Sequence, residues 1–440
     1  MNVGSKRIVI RNGRFLTMSE EDGSGRTESS FIGTMVISGG RIEYIGTDDV
    51  EALEEDDEID GRGKLYMPGL VNTHGHAAMS LLRGLKDDVN LQVWLQQHMW
   101  PMEAKFTGAD VHAGTMLAIM EMLKGGTTAF MDMYDHMDEV ARAVEETGLR
   151  ACLNRGVIGL CSEDAQRTKL EEAIRFARDW HKSAGGRITT AMAPHAPYTC
   201  PPDYIVKFVD AAHELDLPIH THMSETAREV EDNVRQYGVR PVEHLRRLGV
   251  FSRPAIVAHG VHLTDEEIAM LAAHGVGVSH NPGSNLKLAS GIARVPELLR
   301  AGVRVSLGTD SAASNNNLDM FEEMRLAALL HKGISGDPTV VPASEALRMA
   351  TIDGARSLWL DDVGRLAPGM KADVIALDVT AAHFQPEADF ASHVVYSASC
   401  SDVTDVWVDG RQLVRGRSCL TLDEERVVYE ANAALKRLKG

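Results

Sequence analysis

The sequence predicts an α/β protein: a TIM-type (β/α)8 barrel in the middle of the chain, with one small β-domain assembled from both ends. Two observations predict it. Between residues 65 and 360, short apolar runs alternate with amphipathic helical stretches, as parallel strands joined by crossover helices require. Outside those limits the runs are β-like and broken by Gly-rich turns. The expected division is 1–64 for the first part of the β-domain, 65–360 for the barrel, and 361–440 for the second part with a closing helix. A chain of 440 residues, 44% hydrophobic, holds enough apolar material for a core of this size.

The first β-like runs are RIVIRNGRFLTM and TMVISGGRIEYIG, in which Asn12-Gly13 and Gly39-Gly40 mark hairpin turns. The polar stretch from Ser19 to Ser30 between them reads as an exposed loop. Eight strand candidates then end near Asn72, Met133, Val157, Ala193, His222, His259, His280 and Asp310, each followed by helix-like sequence such as DVHAGTMLAIMEMLKGG. A doubly wound open sheet is the rival fold, but no GxGxxG turn follows the first strand. Near the end, GRLAPGMKADVIALD and VTDVWVDGRQLVRG return to β character, and a charged helix begins at Asp423.

Composition narrows the function classes. The formal net charge of -18 disfavours nucleic acid and anionic membranes as partners. Neither a signal-peptide h-region nor an apolar run of membrane-spanning length is present. The 5 cysteines are scattered, with no CxxC pair, as in a reducing compartment. A cytoplasmic protein is expected.

In a barrel, functional groups gather where strands end and βα loops begin. Thr73-His74-Gly75-His76 directly follows the apolar run MPGLVN. Side chains alternate along a strand, so His74 and His76 are expected to face one ion together. In Pro218-Ile219-His220-Thr221-His222-Met223-Ser224-Glu225, His222 lies nearer the strand end and is the expected ligand, and His220 reads as a hydrogen-bonded residue inside the barrel or behind the ligands. Glu225 is placed to exchange protons between an ion-bound water and a substrate nitrogen. Asp310, closing Val305-Ser306-Leu307-Gly308-Thr309-Asp310, offers an oxygen ligand and a proton acceptor, or a cap for the next turn. His259, in Ala258-His259-Gly260, is either a further ligand or a neutral imidazole bonded to the water. Three imidazoles and one carboxylate suit zinc, with Fe2+ and Mn2+ as alternatives. Such an ion lowers the pKa of bound water from 15.7 towards about 7, chemistry that hydrolyses electrophilic carbons.

Taken together, PGLVNTHGHAAMSLLRG, the HMSE segment, VAHGVHL, SHNPGSNLKLASGIA and SLGTDSAASNNNLDMFEEMR resemble the amidohydrolase superfamily over nearly the whole chain. The resemblance is to its branch of 5'-methylthioadenosine/S-adenosylhomocysteine deaminases. It implies a distorted TIM barrel with a composite β-sandwich formed by the N- and C-terminal segments. It also implies that His74, His76, His222 and Asp310 hold one divalent ion, that Glu225 protonates the purine ring nitrogen, and that His259 orients the attacking water without being a permanent ligand. By the same resemblance His195, in Pro194-His195-Ala196-Pro197-Tyr198, contacts the nucleoside, and Glu103 holds the ribose hydroxyls. An acceptor-only carboxylate suits two adjacent hydroxyl donors. Arg155, at the third strand's end, offers a planar fork for a carboxylate or ribose oxygens, with a barrel-rim salt bridge as its plainer alternative.

The implied reaction is hydrolytic deamination of 5'-methylthioadenosine and S-adenosylhomocysteine, with adenosine and 5'-deoxyadenosine as further candidates. A deaminase or chlorohydrolase of the same branch acting on guanine, 8-oxoguanine or s-triazines shares the metal motifs and is the alternative. Relatives also suggest a homo-oligomer. Binuclear members bridge two ions with a carboxylated lysine on the fourth strand; here that strand, Ile188-Thr189-Thr190-Ala191-Met192-Ala193, has none. Met79, Leu82, Trp94 and Met102 surround the region but read as core at helical spacing.

Overall fold

A computed structural model describes residues 6–19 and 30–440. The loop expected from Ser19 to Ser30 falls, for residues 20–29, outside the described residues.

Both chain ends enter one nine-stranded sheet. Strand Ile8–Leu16 pairs antiparallel with Ser30–Ser38, which pairs with Arg41–Gly46. Gly39 and Gly40, at φ +56° and +81°, form the tight turn of that second pairing, which needs positive φ at both central residues. Asn12-Gly13 does not turn a hairpin. It lies inside strand Ile8–Leu16, where Asn12 is left-handed and the register shifts between Ile10 and Gly13, a β-bulge. Glycine is required there by tertiary packing, because a Cβ would approach the Tyr66 ring to 2.9 Å.

The two ends meet where Lys64–Pro68 runs antiparallel to Val374–Asp378, followed by Val403–Val408, Arg411–Arg415 and Ser418–Cys419. Phe15, Tyr66 and Trp407 stack in its core with ring centroids 5.4 and 6.3 Å apart. The closing helix, Glu424–Lys439, begins at the Asp423 cap and packs on helix Gly108–Lys124 through Ala113, Ala431 and Ala434.

The barrel strands are Leu70–Asn72, Thr127–Tyr134, Arg150–Val157, the fourth in two pieces (Ile188–Thr190 and Ala193–Pro194), Ile219–Met223, Ala255–His259, Gly277–His280 and Val305–Leu307. They form two parallel runs, first to fourth and fifth to eighth. Backbone bonds close the ring: Met192 N to Pro218 O, His220 N to Met192 O and His222 N to His195 O (2.9, 3.0 and 2.9 Å) on one side, Thr73 N to Leu307 O and Asp310 N to His74 O (2.9 and 3.0 Å) on the other. The interior between the two runs is filled by Val71, Met131, Cys152 and Ile256.

A buried cation ties the barrel to the terminal sheet. Arg150, the first residue of the third barrel strand, donates two bonds to Asp373 (2.7 and 2.9 Å) and one to Asp409 (2.7 Å). Asp373 and Asp409 flank strands of the terminal sheet, and Arg150 is fully buried.

Two expectations about local geometry are corrected. The eighth strand stops at Leu307, so Asp310 sits three residues beyond it with φ +60°. Gly308 permits the bend, since a Cβ there would meet Asn281 Oδ1 at 2.6 Å and His74 N at 2.9 Å. Likewise the first strand stops at Asn72. His74 and His76 therefore converge through the loop, with rings at 86°, rather than by strand alternation.

Candidate active site

At the carboxyl ends of the strands, the chain gathers His74, His76, His222, His259 and Asp310. Single ligand atoms of His74, His76 and Asp310, and of His74, His222 and His259, each lie within 4.8 Å of one another. His74 Nε2 and His76 Nε2 stand 3.6 and 3.4 Å from Asp310 Oδ1.

Backbone carbonyls settle two ring tautomers. His76 Nδ1 lies 2.6 Å from Met133 O, and His222 Nδ1 lies 2.8 Å from His195 O. A carbonyl only accepts, so each Nδ1 carries the proton and each Nε2 presents a lone pair inward. His74 Nδ1 is 3.1 Å from His220 Nε2, which places His220 behind His74. His74 Nε2 is buried without a hydrogen-bond partner. An orphaned buried polar atom costs about 1–3 kcal/mol, and a cation among these lone pairs removes that cost. The donor set, imidazoles plus one carboxylate, fits a borderline divalent ion. Burial and the neighbouring imidazoles hold His74 and His222 well below the ordinary histidine range, which keeps both neutral for binding.

Glu225 is buried, and its Oε2 lies 3.9 Å from His259 Nε2. Burial raises its carboxyl pKa, with the His259 charge opposing. For His259, burial disfavours the imidazolium but the Glu225 and Asp310 carboxylates outweigh it, so its pKa is raised.

Three supporting residues carried no signal in the sequence. Ser284 donates to Asp310 Oδ2 at 2.6 Å, and Asn285 Oδ1 lies 2.9 Å from His259 Nδ1. Both belong to SHNPGSNLKLASGIA, to which no role had been attached. Asp132 is a third, accepting from Ala77 N at 2.6 Å and so fixing the turn after His76.

His76, from the imidazole cluster, and His195 border a cavity of about 440 Å³ also lined by Trp100, Glu103, Phe106 and Arg155. That volume suits a small-molecule ligand. Tyr134 Oη donates to Glu103 Oε1 at 2.6 Å and aims the carboxylate. His195 Nδ1 lies 2.9 Å from Thr199 Oγ1, and its ring centroid is 4.4 Å from that of His222. Arg155 reaches the same cavity while its Nη2 pairs with Asp135 and Glu172, each at 3.0 Å, so the rim salt bridge is present as well. Met79, Leu82 and Trp94 are buried in one core cluster with Met102 packed against it, as expected, and Trp94 also borders a small recess beside His222, Glu225 and His259. Trp100 and Phe106 carried no signal in the sequence.

Comparison with known proteins agrees with this geometry. The Amidohydrolase family profile matches residues 65–413. A 5-methylthioadenosine/S-adenosylhomocysteine deaminase from Halalkalibacterium halodurans is 50% identical, covering 94% of this chain and 96% of the relative. A protein of the same name from Shouchella clausii is 47% identical over 98% of this chain and 100% of its own. Among solved structures, an adenosine deaminase from Xanthomonas campestris with bound zinc superposes with TM-score 0.91 at 37% identity, covering 98% of both chains. Atrazine chlorohydrolase from Arthrobacter aurescens TC1, complexed with zinc, gives 0.89 at 25% identity over 97% of this chain and 100% of the other. With strand-end imidazoles, a distorted barrel and a matching profile over most of its length, this chain belongs to the amidohydrolase family.

Proposed function

We propose that this protein hydrolytically deaminates the adenine of 5'-methylthioadenosine and S-adenosylhomocysteine, releasing ammonia and an inosine-type product. The observation that carries the reading is the buried Glu225 carboxyl set beside His259, facing the convergence of His74, His76, His222 and Asp310. Relatives of 46–52% identity bearing the deaminase name support it.

His74, His76, His222 and Asp310 would hold one divalent ion, zinc by donor type. When bound, such an ion supplies water ionised near neutral pH. Every other task falls to the side chains. Glu225 delivers a proton to the purine ring nitrogen, making the amino-bearing carbon electrophilic. His259, oriented by Asn285, and Asp310, oriented by Ser284, direct the attacking water and take its proton. That proton leaves on the amino group as ammonia, and the remaining hydroxyl proton returns to Glu225 as the carbonyl forms, so one water is consumed for each ammonia released and the acid is restored. Glu103 accepts from the ribose hydroxyls, and His195 contacts the nucleoside. Arg155 receives the carboxylate of the S-adenosylhomocysteine tail, while Asp135 and Glu172 beside it suit the tail's ammonium.

Among the described residues no helix is long and apolar enough to cross a membrane. The cysteines are free thiols, which supports a reducing cytoplasmic setting.

Zinc-loaded protein is expected to bleach the adenosine-type absorbance of both nucleosides and release stoichiometric ammonia. Turnover of guanine or s-triazines alone would overturn the substrate assignment. Glu103→Gln is expected to raise KM for ribosides by about tenfold or more, the scale of one lost charged hydrogen bond, with a smaller change in kcat. An unchanged KM in steady-state kinetics would take the ribose away from Glu103.

A further inference from the structure

Glu225 does not stand on a strand. It follows Ser224, whose φ of +53° lies in the left-handed region that a serine enters only under constraint. Here the chain turns from strand Ile219–Met223 into helix Ala227–Tyr237.

One carboxylate holds that turn. Ser224 N donates to Glu229 Oε1 and Glu225 N donates to Glu229 Oε2, each at 2.8 Å. Glu229 is only 4% exposed. It lies in the first helical turn, where an acid at this position ordinarily reaches back to the N–H of the capping residue. This helix is capped independently, because Thr226 Oγ1 accepts from Glu229 N at 3.1 Å. The carboxylate reaches past the cap to the two residues before it. On the other side, Ser224 O accepts from Val261 N and His262 N, both at 3.0 Å. The turn is thereby joined to the loop that leaves His259.

We infer that Glu229 is a positioning residue for the deamination reaction: its carboxylate fixes the left-handed turn at Ser224, so that Glu225 is presented beside His259 at the imidazole cluster. This rests on the function proposed above, in which Glu225 moves the proton. Burial and the Glu225 charge push the Glu229 carboxyl up to about 7, while the two amide bonds oppose the rise. A carboxylate bearing that burden for helix capping alone is redundant beside Thr226.

The test is Glu229→Gln, which keeps the volume but lets only one amide N–H keep an acceptor. With misplacements of ~1 Å costing up to ~100-fold, kcat on S-adenosylhomocysteine is expected to fall about 30–100-fold, KM to change less than about threefold, and metal content to stay at the wild-type value. Adding Ser224→Gly, which takes left-handed φ without strain, is expected to restore kcat by about tenfold. Thr226→Ala, which removes the helix cap, is expected to lower Tm and leave kcat unchanged. If Glu229→Gln behaves like Thr226→Ala, with lower Tm and kcat within about twofold, the positioning role is overturned, since a cap lost at a helix start costs stability alone. Should the glutamine variant not be recovered folded, Glu229→Asp replaces it with the same expected loss and the same overturning result, because its shorter arm cannot span both amides. Wild-type protein inactive on adenine nucleosides overturns the proposed function instead, which separates the two failures.

Discussion

Glu225→Gln is expected to keep its metal and lose about 10²–10⁴-fold in kcat, the range of a single general acid–base group. Glutamine preserves the volume of this buried side chain and leaves His74, His76, His222 and Asp310 untouched, so metal analysis should return the wild-type stoichiometry. The amide carries no proton it can release to a ring nitrogen. His222→Ala provides the contrast: it removes a lone pair from the ring of donors, and both metal and turnover should go. Measuring metal content and single-turnover rates on the same samples separates the two roles. Full activity in the glutamine variant would remove Glu225 from the chemistry.

The largest expected effect on stability lies at the opposite end of the barrel. Arg150→Met deletes three charge-assisted bonds and strands the buried Asp373 carboxylate, while Asp409 keeps Lys371 at 3.6 Å. Breaking a buried ion pair from one side costs about 3–5 kcal/mol, because the surviving charge stays desolvated. Arg150→Lys should rescue little, since a single ammonium cannot reproduce the forked guanidinium pairing. Thermal inactivation rates of the three proteins decide it. A Met variant that inactivates at the wild-type rate would mean the pair contributes nothing net.

Strand-end polar residues were legible in the sequence because a barrel delivers them in a fixed order, each after an apolar run. His74, His76, His222, His259 and Asp310 all lie where that rule looks, and they do converge. What the rule missed depends on contacts between distant segments. Asp310 reaches the site because Gly308 allows a bend past the strand end, and strand periodicity is blind to a bend imposed by Asn281 and His74. Ser284 and Asn285 matter through a hydrogen bond each, and small polar residues in a Gly/Pro-rich loop look like turn formers. Asn12-Gly13 has the composition of a hairpin turn, yet its partner is a tyrosine more than fifty residues away, which makes it a bulge. Trp100, in the helical turns of residues 91–103, and Phe106, in the connection to helix Gly108–Lys124, line the cavity, and aromatic residues in such positions resemble ordinary core.

The pairing of Lys64–Pro68 with Val374–Asp378 has a consequence for biosynthesis. The first strands leave the ribosome with one edge bare, and its complement is translated roughly 300 residues later, or about 15–60 s at about 5–20 residues/s. For that interval the nascent chain displays an open β-edge of the kind that recruits neighbours on a polysome. Early docking of that edge onto the half-built cylinder would shield it until the last strands arrive.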